Sequence, residues 1–169
     1  MSAGNVLQSG TVTPGHLVTW TTDGVIQDGG GLPSSTLQIL ASARTMNFNT
    51  TTDQAIYIPP SVVAFQLTGI TVTNASLSLT TAAGGFYPAV GKSGTAIVAA
   101  GQSYASLTTA NLLLACTIAA TPLVTRYSSA NLPVTTILGL NYLTIYLSLT
   151  SPQGTPATAD VYLLGFNLT

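Results

Sequence analysis

The triplet Gly91-Lys92-Ser93, in the stretch GGFYPAVGKSG at 84–94, matches the end of a phosphate-binding loop. Such a loop starts with a glycine five positions before the Gly-Lys pair, and a helix N-terminus must follow it. Here that first position is Phe86, and Pro88 removes a backbone donor. The next residues, TAIVAAG, resemble a short strand and would supply no helix dipole. The pattern therefore argues against a nucleotide site.

A second candidate chemistry is nucleophilic catalysis near the beginning of the chain. The residues that could take part are His16 as base, Asp23 or Asp28 as its orienting group, and Ser9 or Thr21 as nucleophile. All of them precede residue 36, and no Gly-x-Ser-x-Gly elbow is present to hold a nucleophile. We expect the histidine to bond backbone after the Pro-Gly turn, and the two aspartates, each followed by glycine, to form turns.

The remaining titratable residues are too scattered to make a site. Asp53 and Asp160 are the only acids beyond residue 35, and one His, one Cys and four Asp offer no chelating spacing. Cys116 lies in the apolar run LLLACTIAAT, which predicts a buried thiol. We expect no enzyme, no metal and no cofactor. The three cations, Arg44, Lys92 and Arg126, are each expected to pair with an aspartate across a subunit contact.

Charged residues make up 4% of the 169-residue chain, and glutamate is absent. A net charge of −1 argues against a nucleic-acid surface, which needs clustered Lys and Arg. Threonine and β-branched aliphatic residues favour strands, whereas the usual solvated helix formers are nearly missing. The chain is therefore predicted to be all-β. Because few charges oppose association, we expect an obligate oligomer or a component of a larger assembly.

No membrane or secretion segment is expected. The longest apolar run, residues 112–120, is interrupted by Thr117 and is far shorter than a membrane span. Residues 1–10 lack the basic start and apolar stretch of a signal peptide.

Residues 1–35 differ in composition from the rest. They hold the only His, the only Trp and two of the four Asp, and three consecutive glycines close the segment at 29–31. Frequent Gly and Pro predict an extended N-terminal arm with short strands at 16–20 and 24–27. Its apolar residues should make it dock on its own domain or on a neighbour.

Residues 36–169 are predicted to form one β-sandwich domain. Alternation begins at Leu37 and continues through Ala43, and a strand at 55–58 ends at two prolines. Phe65 and Leu67 have the opposite parity to Ile70 and Val72, which a β-bulge at Gly69 would correct. Further strands are predicted at 76–79, 86–90 and 95–100, and one short helix is predicted from Ser106.

The clearest alternation lies in the last third of the chain. Leu143, Ile145, Leu147 and Leu149 share one face of the first predicted strand, and Tyr162, Leu164, Phe166 and Leu168 share one face of the second. We expect both faces to be core. Many short strands with turns between them predict a jelly-roll-like β-sandwich, with an up-and-down barrel as the alternative.

Three stretches of the sequence resemble virion structural proteins of tailed bacteriophages. They are GNVLQSGTVTPGHLVTWTTDGVIQDGG at 4–30, VTNASLSLTTAAGGFYPAVGKSGTAIVAAGQSYASLT at 72–108 and YLSLTSPQGTPATADVYLLGFNLT at 146–169. The resemblance implies a capsid decoration (cement) or head-fibre protein with a β-sandwich. It also implies that the glycines around 84–94 form turns flanking the FYPAV strand.

The implied role is to bind and stabilise the major capsid protein at the capsid surface of the virion, after synthesis in the bacterial host cytoplasm. The arm would be the attachment device, with Val12, His16, Leu17, Trp20, Val25 and Ile26 as capsid-binding residues. A homotrimer would match the threefold positions of an icosahedral shell, although dimers also decorate shells. The alternative function is a head- or tail-fibre module that binds a receptor or glycan or acts as an adaptor. Neither role involves nucleic acid or membrane.

Overall fold

The structure is a computed structural model that describes the backbone strands at 7–9, 16–20 and 25–31 and all of residues 36–168. The N-terminal strands are β1 (Leu7–Ser9), β2 (His16–Trp20) and β3 (Val25–Gly31). The remaining elements are β4 (Leu37–Asn47), β5 (Gln54–Ile58), β6 (Ala64–Thr73), β7 (Ala83–Tyr87), β8 (Val98–Ser103), β9 (Leu113–Ala115), α1 (Ala120–Val124), β10 (Arg126–Ser128), β11 (Val134–Ile137), β12 (Leu140–Ser151) and β13 (Thr158–Asn167).

The chain divides into two compact units, Met1–Thr36 and Leu37–Thr169. In the first, called the N-terminal unit below, β3 pairs with β1 in parallel and with β2 antiparallel. The strand predicted at 16–20 is present. β3 is longer than predicted and continues through the three glycines, so Asp28 lies within a strand and not in the turn expected for it.

The second unit is an all-β sandwich of two packed sheets. Sheet I has the order β4-β13-β6, with β9 and β10 both on the far edge of β6. In sheet II, β12 is flanked by β5 on one edge and by β7 and β11 on the other. β8 pairs antiparallel with β7 as the next strand of the sheet. Two separate sheets rule out the single closed barrel that was the alternative. The finer jelly-roll topology stays a prediction.

The core lies between the sheets, and the alternation in β12 predicts its face correctly. Leu143, Ile145, Leu147 and Leu149 are all buried there. Thr144 and Ser148, on the opposite face of the same strand, are also buried. Both faces of β12 are therefore largely covered over its central residues, so this strand is buried beyond its core face.

The predicted core face of β13 is wrong. Ala159, Val161 and Leu163 point into the core, whereas Leu164 and Phe166 are only half-buried on the outer face of sheet I. Both faces of this strand are apolar, so a period of two gives no way to choose between them. The bulk that the core needs is supplied elsewhere, by aromatic side chains such as those in the edge-to-face pair Phe48–Tyr104, whose centroids are 5.0 Å apart.

The predicted bulge in β6 is confirmed. The register against β13 shifts between Leu67 and Gly69, so the strand gains one residue there. Phe65, Leu67, Ile70 and Val72 are consequently all buried on one face despite their different parity.

The alternation predicted for β4 marks the core only at its second half, where Ala41 and Ala43 pack against it. Leu37 and Ile39 are exposed, while Leu40 and Ala41 are buried. The register of β4 against β13 shifts between Ile39 and Ala41, and this irregularity moves the buried face by one residue.

The helix predicted from Ser106 is absent. The hydroxyl of Thr108 accepts hydrogen bonds from the backbone N–H groups of Ala110 and Asn111, and the Asn111 side chain donates to the Ser106 carbonyl. These local bonds favour a turn over a helix. The helix of the second unit is α1, which begins fourteen residues later at Ala120.

Three predicted strands are also displaced or missing. The structure has no strand at 76–79, where Ser76 and Leu79 instead donate backbone hydrogen bonds to Thr158 and Leu107. The strand predicted at 86–90 is β7, which starts at Ala83 and ends at Tyr87, so Gly84 and Gly85 lie within the strand and not in the turn expected for them. The strand predicted at 95–100 is β8, which starts at Val98.

Candidate functional site

Gly91-Lys92-Ser93 lies in a tight turn, called the β7–β8 turn below, within the loop at 88–97 that joins β7 to β8. Gly91, Lys92 and Gly94 have φ values of 69°, 58° and 80°, which are left-handed conformations. The Ser93 N–H donates to the Val90 carbonyl at 3.3 Å, closing the turn. The following residues enter a strand and not a helix, so this loop lacks the geometry of a phosphate cradle.

The acceptor for this loop is a carboxylate of the chain itself. The Gly91 N–H donates to Asp53, which lies just before β5 and is 38 positions away in sequence. A backbone N–H exposed by left-handed residues is an anion-binding group, and here Asp53 occupies it. Asp53 therefore has a structural task, which is to join the β7–β8 turn to the start of β5.

Asp160 occupies the second carboxylate site, on β13 at the end of sheet I. It is buried, with 7% of its surface exposed. Its carboxylate accepts hydrogen bonds from the Thr45 N–H at 2.9 Å and the Asn74 side-chain amide at 3.0 Å, and the Arg44 guanidinium lies 3.6 Å away. Thr45 and Asn74 have φ values of 52° and 53°, so this carboxylate holds two left-handed residues in place.

These partners also fix the charge of Asp160. Burial by itself raises the pKa of the carboxyl group, but the hydrogen bonds from Asn74 and Thr45 and the charge of Arg44 outweigh burial and hold the pKa below its usual value. The group is therefore ionised at neutral pH and cannot serve as a general acid there. The expectation that Arg44 pairs across a subunit contact is wrong, because its partner lies in the same chain.

The thiol and the buried phenols are unsuited to nucleophilic chemistry. Cys116 is buried in the core as predicted, and burial raises the pKa of its thiol to about 12. Burial likewise raises the pKa of Tyr127 to about 12 and that of Tyr104 well above its usual value. All three groups are therefore protonated at neutral pH, and a protonated thiol is a poor nucleophile.

Two surface hollows in the second unit are lined mainly by small uncharged residues. One, of about 240 Å³, lies beside α1 and is lined by Pro88, Thr121, Pro122 and Tyr127, among others. The other, of about 470 Å³, is lined by Ala99, Gly101, Gln102, Ser103, Thr117 and Ala119. Neither brings together an acid and a base, which general acid–base catalysis requires.

The predicted attachment residues lie in the N-terminal unit. His16, Leu17 and Trp20 are on β2, and Val25 and Ile26 are on β3. Trp20 and Ile26 are register partners in the antiparallel pair, and Val25 is the register partner of Leu7 in the parallel pair. The backbone thus brings these five positions into one small sheet. Val12 lies outside the described residues.

The candidate catalytic residues of the N-terminal unit fall on different strands. Ser9 ends β1, His16 begins β2 and Asp28 is within β3. His16 is the register partner of Gly31, and Asp28 is that of Val18. Thr21 and Asp23 lie outside the described residues.

Sequence reasoning missed the exposed apolar surface of the second unit. Large apolar side chains are exposed at the start of β4, at the end of α1 and around the β11–β12 hairpin, which includes Leu138 and Leu140. A two-residue hairpin loop is usually signalled by Asn-Gly or Asp-Gly between two strand-like runs. Here Leu138 takes the place of the asparagine, so the sequence does not show the signal.

Comparisons of the chain with protein-family models, with curated proteins and with solved structures find no match. Within residues 36–168 and the three N-terminal strands, no three His, Cys, Asp or Glu residues are grouped so that they could hold a metal ion. The same residues include no helix that is long and apolar enough to cross a membrane.

Proposed function

We propose that the protein is a capsid decoration protein of a tailed bacteriophage, which binds the major capsid shell and stabilises it without catalysis. The observation that carries this proposal is the surface of the sandwich, which exposes large apolar side chains in a unit that contains only five charged residues, one of them the buried Asp160. Such a surface is suited to burial against other subunits, since neither net repulsion nor local ions oppose contact.

The carboxylates of the sandwich add support, because both are engaged in holding the fold. Asp53 binds the β7–β8 turn, and Asp160 binds Thr45, Asn74 and Arg44. Acids committed to structural hydrogen bonds fit a rigid building block better than an enzyme, whose titratable groups face a cleft.

The N-terminal unit is the attachment device in this proposal. Its strands carry Trp20 and the apolar positions Leu17, Val25 and Ile26 within one three-stranded sheet. Aromatic residues dominate the energy of protein interfaces, so Trp20 is the expected centre of the contact. In a homotrimer on a threefold position of the shell, three such units would bind at once, and avidity would multiply a modest single affinity.

The test is a binding experiment with empty capsids of the phage that encodes the chain. Deletion of residues 1–36, at the boundary between the units, should leave a sandwich that no longer sediments with capsids. In the full-length protein, Trp20→Ala should weaken capsid binding by about tenfold or more. Tyr57→Ala, which removes an exposed aromatic from the sandwich, is the matched control and should bind as the wild type does.

Full-strength binding by the protein lacking residues 1–36 would refute the attachment role of the N-terminal unit. Cryo-electron microscopy of purified virions tests the location directly. Density for this chain on the shell supports the proposal, whereas density confined to the tail would replace decoration with a fibre role.

A further inference from the structure

The β11–β12 hairpin ends in a tight turn of unusual composition. Ile137 and Leu140 are register partners, and only Leu138 and Gly139 lie between them. Their φ values are 50° and 79°, and two positive values in a two-residue loop are the signature of a type I′ turn. The hairpin is held across its strands by a hydrogen bond from the Thr136 hydroxyl to the Asn141 side-chain oxygen at 2.8 Å.

Local folding does not explain the leucine at this tip. The first position of a type I′ turn favours Asn, Asp or Gly, because a left-handed conformation brings Cβ close to the following carbonyl oxygen. Leu138 adopts that conformation and is 99% exposed. It therefore gains neither a favourable turn nor any burial within its own chain.

A hollow lies directly beside the tip. It has a volume of about 400 Å³, and its walls include Gly139 and Leu140 of the hairpin. Its other apolar walls are Pro60, Val62, Val63, Val134 and Leu143, and its polar lining residues are Ser129 and Asn141. An apolar projection and an apolar hollow thus occupy one continuous surface, here called the knob (Ile137, Leu138 and Leu140) and the hollow.

The charge pattern restricts what this surface can bind. No charged residue occurs between Asp53 and Lys92 or between Arg126 and Asp160, and the knob and hollow come wholly from these stretches. A charged partner would lose hydration here without gaining an ion pair, which is costly. The surface therefore fits a partner that is equally free of charge, and this chain offers such a surface.

We propose that the knob of one copy inserts into the hollow of a second copy, so that this face joins the subunits of a homo-oligomer. Because knob and hollow lie side by side, a two-fold pair makes the same contact twice, and in a closed ring each copy gives one knob and receives another. The patch has about ten residues, fewer than the 20–30 a side of a standard interface, so association depends on concentration.

A lipid surface fits the same observations less well. Segments that lie on a membrane surface carry Lys or Arg beside their apolar residues, and residues 127–159 contain neither. A bilayer would also leave the hollow without an occupant, whereas a second copy fills it. The inference goes beyond the proposed function and does not depend on a capsid, because it concerns only contacts between copies.

The experiment measures the molar mass of the full-length protein by light scattering over a range of concentrations. Leu138→Asn places the residue preferred in this turn at the tip, so it removes the most exposed side chain of the knob while keeping the hairpin. Val63→Asp places a charge in the exposed wall of the hollow. The wild type should form a dimer or trimer, and each variant should raise the dissociation constant by about tenfold or more. Val124→Asn, at an exposed apolar residue outside the patch, is the control and should associate like the wild type.

A wild type that has the mass of one chain at every concentration would overturn the proposal. So would undiminished association of both the Leu138 and Val63 variants. Sedimentation with phosphatidylcholine or phosphatidylglycerol vesicles is measured in parallel, and vesicle binding that Leu138→Asn abolishes while self-association stays intact would assign the knob to membranes instead. Loss of capsid binding plays no part in these outcomes, so a failure here leaves the attachment proposal standing.

Discussion

Leu147 and Phe166 are both large apolar residues in alternating strands, yet the structure places them in different environments. Leu147 lies on β12 opposite Phe86 and is fully buried between the sheets. Phe166 lies on β13 and is half-buried on the outer face of sheet I, beside the exposed Leu37. Truncating each residue to alanine therefore tests which face of each strand is core.

The expected losses follow from burial. Leu147→Ala removes three buried carbon atoms, worth about 0.8 kcal/mol each in transfer free energy, and leaves a cavity that adds to the cost. We expect the free energy of unfolding to fall by about 3–4 kcal/mol. Phe166→Ala removes more atoms, but much of the ring already contacts solvent and no closed cavity results. Its expected cost is about 1–2 kcal/mol.

The assay is urea denaturation of the full-length variants. All seven tyrosines lie beyond residue 36 and the only tryptophan is Trp20, so near-ultraviolet circular dichroism of tyrosine reports on the sandwich. Lys92→Ala, at an exposed residue of the β7–β8 turn, is the control and should change stability by less than about 0.5 kcal/mol. A loss from Phe166→Ala as large as that from Leu147→Ala would refute the assignment of the faces.

Two further predictions concern sheet I. A Cβ at Gly165 would lie 2.1 Å from the Gln66 carbonyl oxygen, whereas one at Gly101 would meet nothing within 4 Å. Gly165→Ala should therefore lower the free energy of unfolding by about 1–3 kcal/mol or more, and Gly101→Ala, the control, should not. Equal urea midpoints for the two variants would contradict this prediction. Because the pKa of Asp160 is depressed in the folded state, its contribution is complete above the unfolded pKa and is lost as pH falls through the folded value. The difference in free energy of unfolding between the wild type and Asp160→Asn should therefore be constant from about pH 6 to 8 and should become smaller below about pH 4. A difference that stays constant to lower pH would show that the partners of the carboxylate do not hold it ionised.

Strands could be predicted from the sequence where one face is polar, or where a single extra residue explains a break in the alternation. β12 is an example, since its leucines and isoleucine alternate with Tyr and Thr. The bulge in β6 was predictable because only an extra residue near Gly69 could bring Phe65 and Ile70 to the same face. Where both faces are apolar, as in β13, the pattern carries no information about which face is buried, and the prediction was wrong.

The candidate sites depend on contacts between distant parts of the chain, which no local pattern encodes. Asp53 and Gly91 are 38 positions apart, and Thr45 and Asp160 are 115 positions apart. The sequence alone does not show that Asp160 accepts these bonds or that Arg44 pairs with it in the same chain, so it predicts a free acid and a cation whose partner lies in another subunit. The exposed Leu138 escaped notice for a different reason, since only the backbone conformation distinguishes a left-handed leucine from one in a strand.

The position of β13 has a consequence for synthesis of the chain. β13 is the central strand that joins β4 to β6, and among the described strands β4 pairs with β13 alone. A ribosome therefore releases β4 and β6 long before the strand that must lie between them exists. During that interval both strands have open hydrogen-bonding edges, and contacts at such long separation also form slowly. Sheet I thus cannot close during translation until residues 158–167 have emerged, and nascent chains that meet in this interval can pair with each other instead.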